Sequence, residues 1–554
     1  MTPDASISEF PPVKREVSAE TEVVARRLRH LSEIGLALSA ERDIRRLLAM
    51  ILSTSRELTL ADGGTLYIIE KLASGDSVLN FRASQNDSII VDTNMSFAVA
   101  PTSLAGYAAF SGQMLAFDDV YNLSPDAPYK FNPLFDFEHG YRTKSVLVVP
   151  LKNHNGEVIG VLQLINRKRR REVILRDPAI VESEVVGFDD EMIDLAATLA
   201  SQAAVALDNN LLLREIESLF EAFVVAASSA IEDRDPSTSG HSQRVTRLTI
   251  ELARAIHETN EGPFKSVRFT PAQMKELRYA TLLHDFGKIG VREAVLTKSH
   301  KIEPNEFAAI KNRMLALRRQ REAAAYKHKV DFLQSESLPR ERIRELLDEV
   351  DRELEVSLEL LDDDMAQLDR INDPAADLSP EEVGQGTDRL LERLACTTYL
   401  DEYDDPQPLL RPHERHALGI RRGSLTPEEY LAIQHHAQLS FEFLRRIPWT
   451  QSLKNIPDIA HAHHERNDGT GYPMGLKDKQ IPFAAKIMAI ADVYDALTAS
   501  DRPYKRAMSP ERALEILRYD AAGGKVDSDA LEIFIARGIY KLTEPGAPDI
   551  LHHH

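Results

Sequence analysis

The stretch TLLHDFGKIG (281–290) carries an apolar, helix-like run onto an adjacent His284 and Asp285, then a lysine, Lys288, between two glycines. An apolar helix such as YATLLHD does not bury ionisable groups unless something compensates their desolvation. The same conflict recurs downstream. His463 and His464 stand in AHHERNDGTGYP, and Asp492 lies within IMAIADVYDAL, another run that reads as a buried helix. Taken singly, each of these residues is as well explained by a hydrogen-bonded structural role. Together they form an imidazole and carboxylate set of the kind that holds first-row transition metals, and a carboxylate can bridge two of them. Two metals about 3.5–4 Å apart clamp the attacking and leaving oxygens of a phosphodiester displacement. The chemistry indicated is metal-dependent hydrolysis of a phosphodiester.

Outward from that stretch, 554 residues exceed one core, and about 150 residues per domain suggests three or four folded units. A formal charge of −20 argues against a surface that wraps DNA, which needs clustered Lys and Arg, so a phosphate ligand is met locally. Cys396 is the only cysteine, the first thirty residues lack the apolar core of a signal peptide, and nothing reads as a membrane span. A cytoplasmic protein is expected.

Residues 1–19 read as a flexible tail. From about 20 to 60 apolar residues recur at helical spacing. The period then shortens: SVLVVPL (145–151) and EVIGVLQLIN (157–166) are β-rich runs joined by the turn-forming Asn153-His154-Asn155-Gly156, a hairpin at the centre of a sheet. No proline occurs between 189 and 232, which predicts one long helix. Its stripe Ile193, Ala197, Ala200, Ala204, Leu207, Leu211 alternates steps of four and three, then restarts one residue later as Leu212, Ile216, Leu219, Phe223, Ala226, Ala230. That period suits a parallel dimeric coiled coil with a phase break, and a homodimer is expected.

The helix, paired strands and closing helix over about 20–190 resemble a GAF domain, an α+β sensor fold. Asn166, Lys168, Phe188, Asp190 and Glu191 resemble the pattern of GAF domains that bind cyclic nucleotides, which makes a cyclic nucleotide one candidate for an otherwise unknown ligand. HSQRV (241–245), HDFGK (284–288), HHERNDGTGYP (463–473) and ADVYDALTASDRPYK (491–505) resemble, in order, the signatures of the HD-GYP family. The resemblance implies an all-α HD-superfamily catalytic domain over 220–545, entered through a connecting helix at 191–232. It also implies two divalent transition metals, iron or manganese, and opening of cyclic di-GMP to pGpG, or onward to GMP.

Carried over by motif, His241, His284, Asp285 and Asp492 would hold one metal, while Asp285 bridges to a second held by His436, His463 and His464. Lys288, Arg502 and Lys505 would face substrate phosphates as fixed positive charge. The DGTGYP loop implies either a docking surface for a diguanylate cyclase or a wall of the site. Other readings are a non-catalytic sensor of the nucleotide, or a hydrolase of cyclic GMP-AMP or of a nucleoside triphosphate. Ser237 stands where a third metal would take a glutamate in the family, so two metals are expected, with Asp233 and Asp235 as neighbours that could substitute for it.

The family helix that carries the second-metal histidine occurs here twice, as KIEPNEFAAIKNR (301–313) and SLTPEEYLAIQHH (424–436). The ligand position is Arg313 in one and His436 in the other, and arginine has no lone pair to offer. His436 is therefore the expected ligand, with His435 a weaker candidate because Ala437 and Ser440 depart from His-Pro-x-x-Gly. The intervening 314–423 reads as a helical insertion. Its basic 311–329 and acidic 341–370 stretches predict an antiparallel hairpin with opposite charge on its arms, and Ile343, Leu347, Val350, Leu354, Leu361 and Leu368 fall at heptad-like spacing.

Overall fold

The computed structural model describes residues 32–71, 77–89, 96–98, 102–235, 239–336, 338–374, 376, 382–499 and 507–543. Two compact units divide at Leu219 and Phe220. The first is built on a helix α1 (Ile44–Thr59) and strands β1 (Ala61–Lys71), β2 (Ser77–Asn86), β3 (Ser96–Ala98), β4 (Leu115–Phe117), β5 (Val146–Lys152), β6 (Val158–Lys168) and β7 (Val185–Val186). They form one antiparallel sheet in the order β3-β2-β1-β6-β5-β4, with β7 also on β6. The β5–β6 hairpin turns at Gly156, whose φ of +80° only glycine adopts cheaply.

Side chains alternate across this sheet, so each face has its own core. Leu147, Val149, Leu151, Leu162 and Leu164 pack with Leu47, Ile51 and Leu52 of α1. Val146, Val148 and Val161 point the other way, onto Leu104, Ala105 and Ala108 of the short helix α2 (Leu104–Ser111).

The predicted long helix is α3 (Asp190–Glu232). Its two stripes have different fates, which corrects the expectation of one interrupted dimer seam. Ala200, Ala204 and Leu207 lie in the core beneath the sheet, so the first stripe is satisfied within the chain. The second stripe is open: Leu212, Ile216, Leu219 and Phe223 are 43%, 61%, 71% and 65% exposed. Exposed Val205 and Asn209 extend it backward in the same four-three rhythm.

Three of the five residues that resemble a cyclic-nucleotide pattern have buried structural partners. Buried Lys168 pairs with Asp62 at 3.1 Å and Asp87 at 2.9 Å. Buried Asn166 donates to the Arg142 carbonyl and the Tyr141 hydroxyl, while Phe188 joins the core and Asp190 and Glu191 sit exposed in the first turn of α3.

The second unit is helical. Around one core stand α4 (His241–Glu258), α5 (Pro271–Leu283), α11 (His436–Leu444), α12 (Ile456–His461) and α13 (Phe483–Thr498), with α10 (Pro427–Gln434) leading into α11. The insertion between them has its own core. Helices α6 (Pro304–Leu333) and α7 (Arg340–Asn372) run antiparallel, since Lys311 pairs with Asp369, Arg318 with Asp362 and Lys329 with Asp351. Phe307, Ile310 and Leu317 meet Leu361 and Leu368, then α8 (Thr387–Cys396) and α9 (Pro412–Leu418) close over them. Toward the tip, Ile343, Leu347, Val350 and Leu354 are only half-buried. This core starts at Ile302, upstream of the boundary read at 314, so the first copy of the duplicated helix belongs to the insertion.

Candidate metal centre

The seven side chains expected to bind metal converge in the second unit. Three sets place one ligand atom per residue within 4.8 Å of the others: His241, His284 and Asp492; His284, Asp285 and His463; and His436, His463 and His464. Six of them arrive from helix ends or the turns beside them, where the backbone can present a side chain inward, and Asp492 comes from the middle of α13. Helix α5 starts on a Thr270–Gln273 capping box and delivers His284 as its C-cap. Asp285 then opens a short turn, Phe286–Gly290, that carries Lys288.

That turn lies against α11 so closely that a Cβ on Gly287 would stand 2.0 Å from the His436 carbonyl oxygen and 2.4 Å from the Ser440 nitrogen. Glycine is required there by contact alone. Ser440 completes the seam: its hydroxyl donates to the His284 carbonyl and accepts from the Gly287 N–H, both at 2.7 Å. The departure from the family pattern at Ser440 thus ties the two ligand-bearing segments together.

Nδ1 lies 2.6 Å from the carbonyl of Thr281 in His284, of Ile433 in His436 and of Ala460 in His463. A proton on Nδ1 in each leaves Nε2 as the lone-pair atom facing the cluster, the orientation that metal-ligating imidazoles adopt. His284 Nε2 is buried with no hydrogen-bond partner. Such an orphan costs about 1–3 kcal/mol, a cost that coordination of a cation removes. His436 Nε2 lies 3.3 Å from His463 Nε2 and 3.3 Å from Asp285 Oδ1. The other Asp285 oxygen is 3.6 Å from His284 Nε2 and 3.9 Å from His241 Nε2, so its two oxygens face different histidine groups.

Protonation follows from burial and neighbours. Burial lowers His436 and, with the adjacent His464, drives His463 well below the ordinary histidine range; His464 falls to about 3 for the same reason of burial. Neutral imidazoles are the metal-binding form. His241 differs: burial opposes its charge, but Asp492 and Asp495 outweigh it and push it up to about 9. Burial would also raise Asp285, yet Lys288 and then His284, His436 and His241 hold it well below the usual carboxylate range.

Several contacts of the site escaped the sequence reading. Asp495 accepts from His241 Nδ1 at 2.8 Å and is gripped by Arg244 Nε at 2.7 Å. The available signal was its position one turn beyond Asp492 on the same face. Asp235 holds Lys288 Nζ at 3.2 Å, beside the 2.9 Å contact from Lys288 to Asp285. Buried Glu465 accepts from the Met474 and Leu476 N–H groups, which ties down the DGTGYP loop, and Tyr472 packs on His464 with ring centroids 4.7 Å apart and the planes tilted at 40°. His435 is exposed and is not part of the cluster. Arg502, Lys505 and Ser237 lie outside the described residues.

A cleft beside His463 and His464 is lined by Tyr430, Arg466, Tyr472, Lys486 and Lys525. Among the described residues no helix is long and apolar enough to cross a membrane.

Residues 43–207 match the GAF domain family and 409–530 the HD domain family, so the chain carries an α+β GAF domain and a helical HD domain. A probable cyclic di-GMP phosphodiesterase of Vibrio cholerae is 36% identical over 166 residues, which are 26% of this chain and 36% of that protein. A 3'3'-cGAMP-specific phosphodiesterase 1 of the same organism is 37% identical over 128 residues, 23% of this chain and 29% of that one. A cyclic di-GMP phosphodiesterase of Thermotoga maritima is 34% identical over 163 residues, 28% of this chain and 42% of that one. The chain therefore spans less than half the length of these relatives.

Proposed function

We propose that this chain is a metal-dependent phosphodiesterase that opens cyclic di-GMP to pGpG at the histidine and aspartate cluster, under control of its GAF domain. The observation that carries the reading is Asp285, whose two carboxylate oxygens face separate histidine groups as a bridging ligand between two metals must. The names of the relatives supply the substrate class.

Iron or manganese would be held by His241, His284, Asp285 and Asp492 on one side and Asp285, His436, His463 and His464 on the other. Two such ions supply Lewis-acid stabilisation of the phosphoryl oxygens and a water acidic enough to attack at neutral pH. The side chains do the rest. Carbonyl-anchored imidazoles keep their geometry, Asp285 and Asp235 hold Lys288 charged at the edge of the cluster, and Tyr472 and Arg466 line the cleft where a guanylate can lie. Hydrolysis of cyclic GMP-AMP is the second reading, favoured by the similarity to the cGAMP-specific relative.

The test is metal analysis of anaerobically purified protein followed by chromatography of cyclic di-GMP and cyclic GMP-AMP digests. Two metals per chain and a metal-dependent pGpG product are expected. Intact cyclic di-GMP in the loaded protein sinks the reading, and faster loss of cyclic GMP-AMP favours the alternative.

The open stripe of α3 fits a second copy of itself, with Asn209 as a polar residue that fixes register. Each apolar side chain gains about 1.5–3 kcal/mol on burial, so Ile216→Glu with Leu219→Glu should weaken the dimer by at least about 100-fold. Light scattering reads this directly. A dimer of unchanged strength would assign the interface elsewhere.

A further inference from the structure

Helix α4 begins at His241, and its N-cap Gly240, at φ +65°, has no side chain to accept the N–H groups of the first turn. Glu232, the last residue of α3, takes that role from outside. Its Oε2 accepts from the Gly240 N–H at 2.8 Å and its Oε1 from the Ser242 N–H at 2.7 Å. One buried carboxylate therefore grips the backbone on both sides of His241, while Asp495 grips the ring. Both restraints, together with Asp492 at 3.2 Å from Nε2, fix the position of the His241 ring.

The same helix end makes two more connections. Arg234 donates to the carbonyls of Ile289, within the Lys288 turn, and Val291, just past it, and Asp235 meets Lys288 itself. The end of α3 is thus bonded to the two segments that carry His241 and the Asp285–Lys288 turn. Glu232 itself bonds the backbone beside His241, and among the described residues its carboxylate makes no hydrogen bond or ion pair to His436, His463 or His464.

We propose that Glu232 is a positioning residue that couples the last turn of α3 to one metal site and not the other. This rests on the metal reading above and adds the route by which a movement of α3 reaches the site. An ordinary helix cap contributes about 0.5–2 kcal/mol to stability without preference for either metal. A residue that orients a ligand typically changes affinity for its own metal by about 10- to 100-fold.

The experiment is a Mn²⁺ titration of the metal-depleted full chain by calorimetry, in which two binding steps are resolved and His436→Ala identifies the step that belongs to the second site. Glu232→Ala is expected to weaken the other step by about 10- to 100-fold and leave the His436 step in place. Glu232→Gln keeps the volume and one acceptor, which controls for any loss of folding in the alanine variant, and is expected to weaken the same step by a smaller factor. Wild-type affinities in both variants, or equal weakening of both steps, overturn the proposal. The readout is metal binding, so a chain that binds two Mn²⁺ but leaves cyclic di-GMP intact refutes the substrate assignment without deciding the role of Glu232.

Discussion

Asp285→Ala is expected to abolish phosphodiester hydrolysis. The carboxylate faces both histidine groups, and in the proposed two-metal site its loss removes a donor from each at once. Lewis-acid stabilisation is worth several kcal/mol in such reactions, and each 1.4 kcal/mol is roughly tenfold in rate, so the fall is on the order of 10³-fold or more. The substitution also strips Lys288 of its 2.9 Å partner, which leaves Asp235 beside the ammonium. Asp285→Asn separates volume from charge: the amide fills the same space without the negative charge and should fail almost as completely. Steady-state rates with cyclic di-GMP and metal content by mass spectrometry check both. Unchanged turnover in the alanine variant would remove the cluster from the reaction.

His436→Ala and Arg313→Ala occupy equivalent positions in the two copies of one helix and are expected to part company. His436 Nε2 sits within 3.3 Å of both His463 Nε2 and Asp285 Oδ1, so its loss should deplete one metal per chain and cut activity by on the order of 10²-fold or more. Arg313 faces a different partner. Its Nη2 reaches both oxygens of Glu414 at 2.7 and 2.6 Å, with both residues buried in the insertion. Arg313→Ala leaves the buried Glu414 charge without its cationic partner and with the Arg411 N–H as its remaining donor, which costs about 3–5 kcal/mol of stability, while metal content stays at the wild-type value. Thermal unfolding and metal analysis of the two variants distinguish the roles. Loss of metal in the arginine variant would return the first copy to the site.

By itself the sequence determined the two kinds of domain, the β5–β6 hairpin and which histidines and aspartates to look for as candidate ligands. Each rests on a local conflict or rhythm that survives without coordinates. Histidine and aspartate on apolar helices need a compensating partner, alternation of period two specifies a sheet, and arginine against histidine at one position of a repeat decides which copy can bind metal. Tertiary structure alone decided how these pieces are used. The two stripes of α3 have the same period, yet Leu207 is buried beneath the sheet and Leu219 is open, because period reports which residues share a face and not what covers it. Asp495 meets His241 across 254 residues, Ser440 meets His284 across 156, and Glu232 caps a helix that starts beyond its own. Those contacts depend on how helix ends approach one another, and no local pattern records that distance.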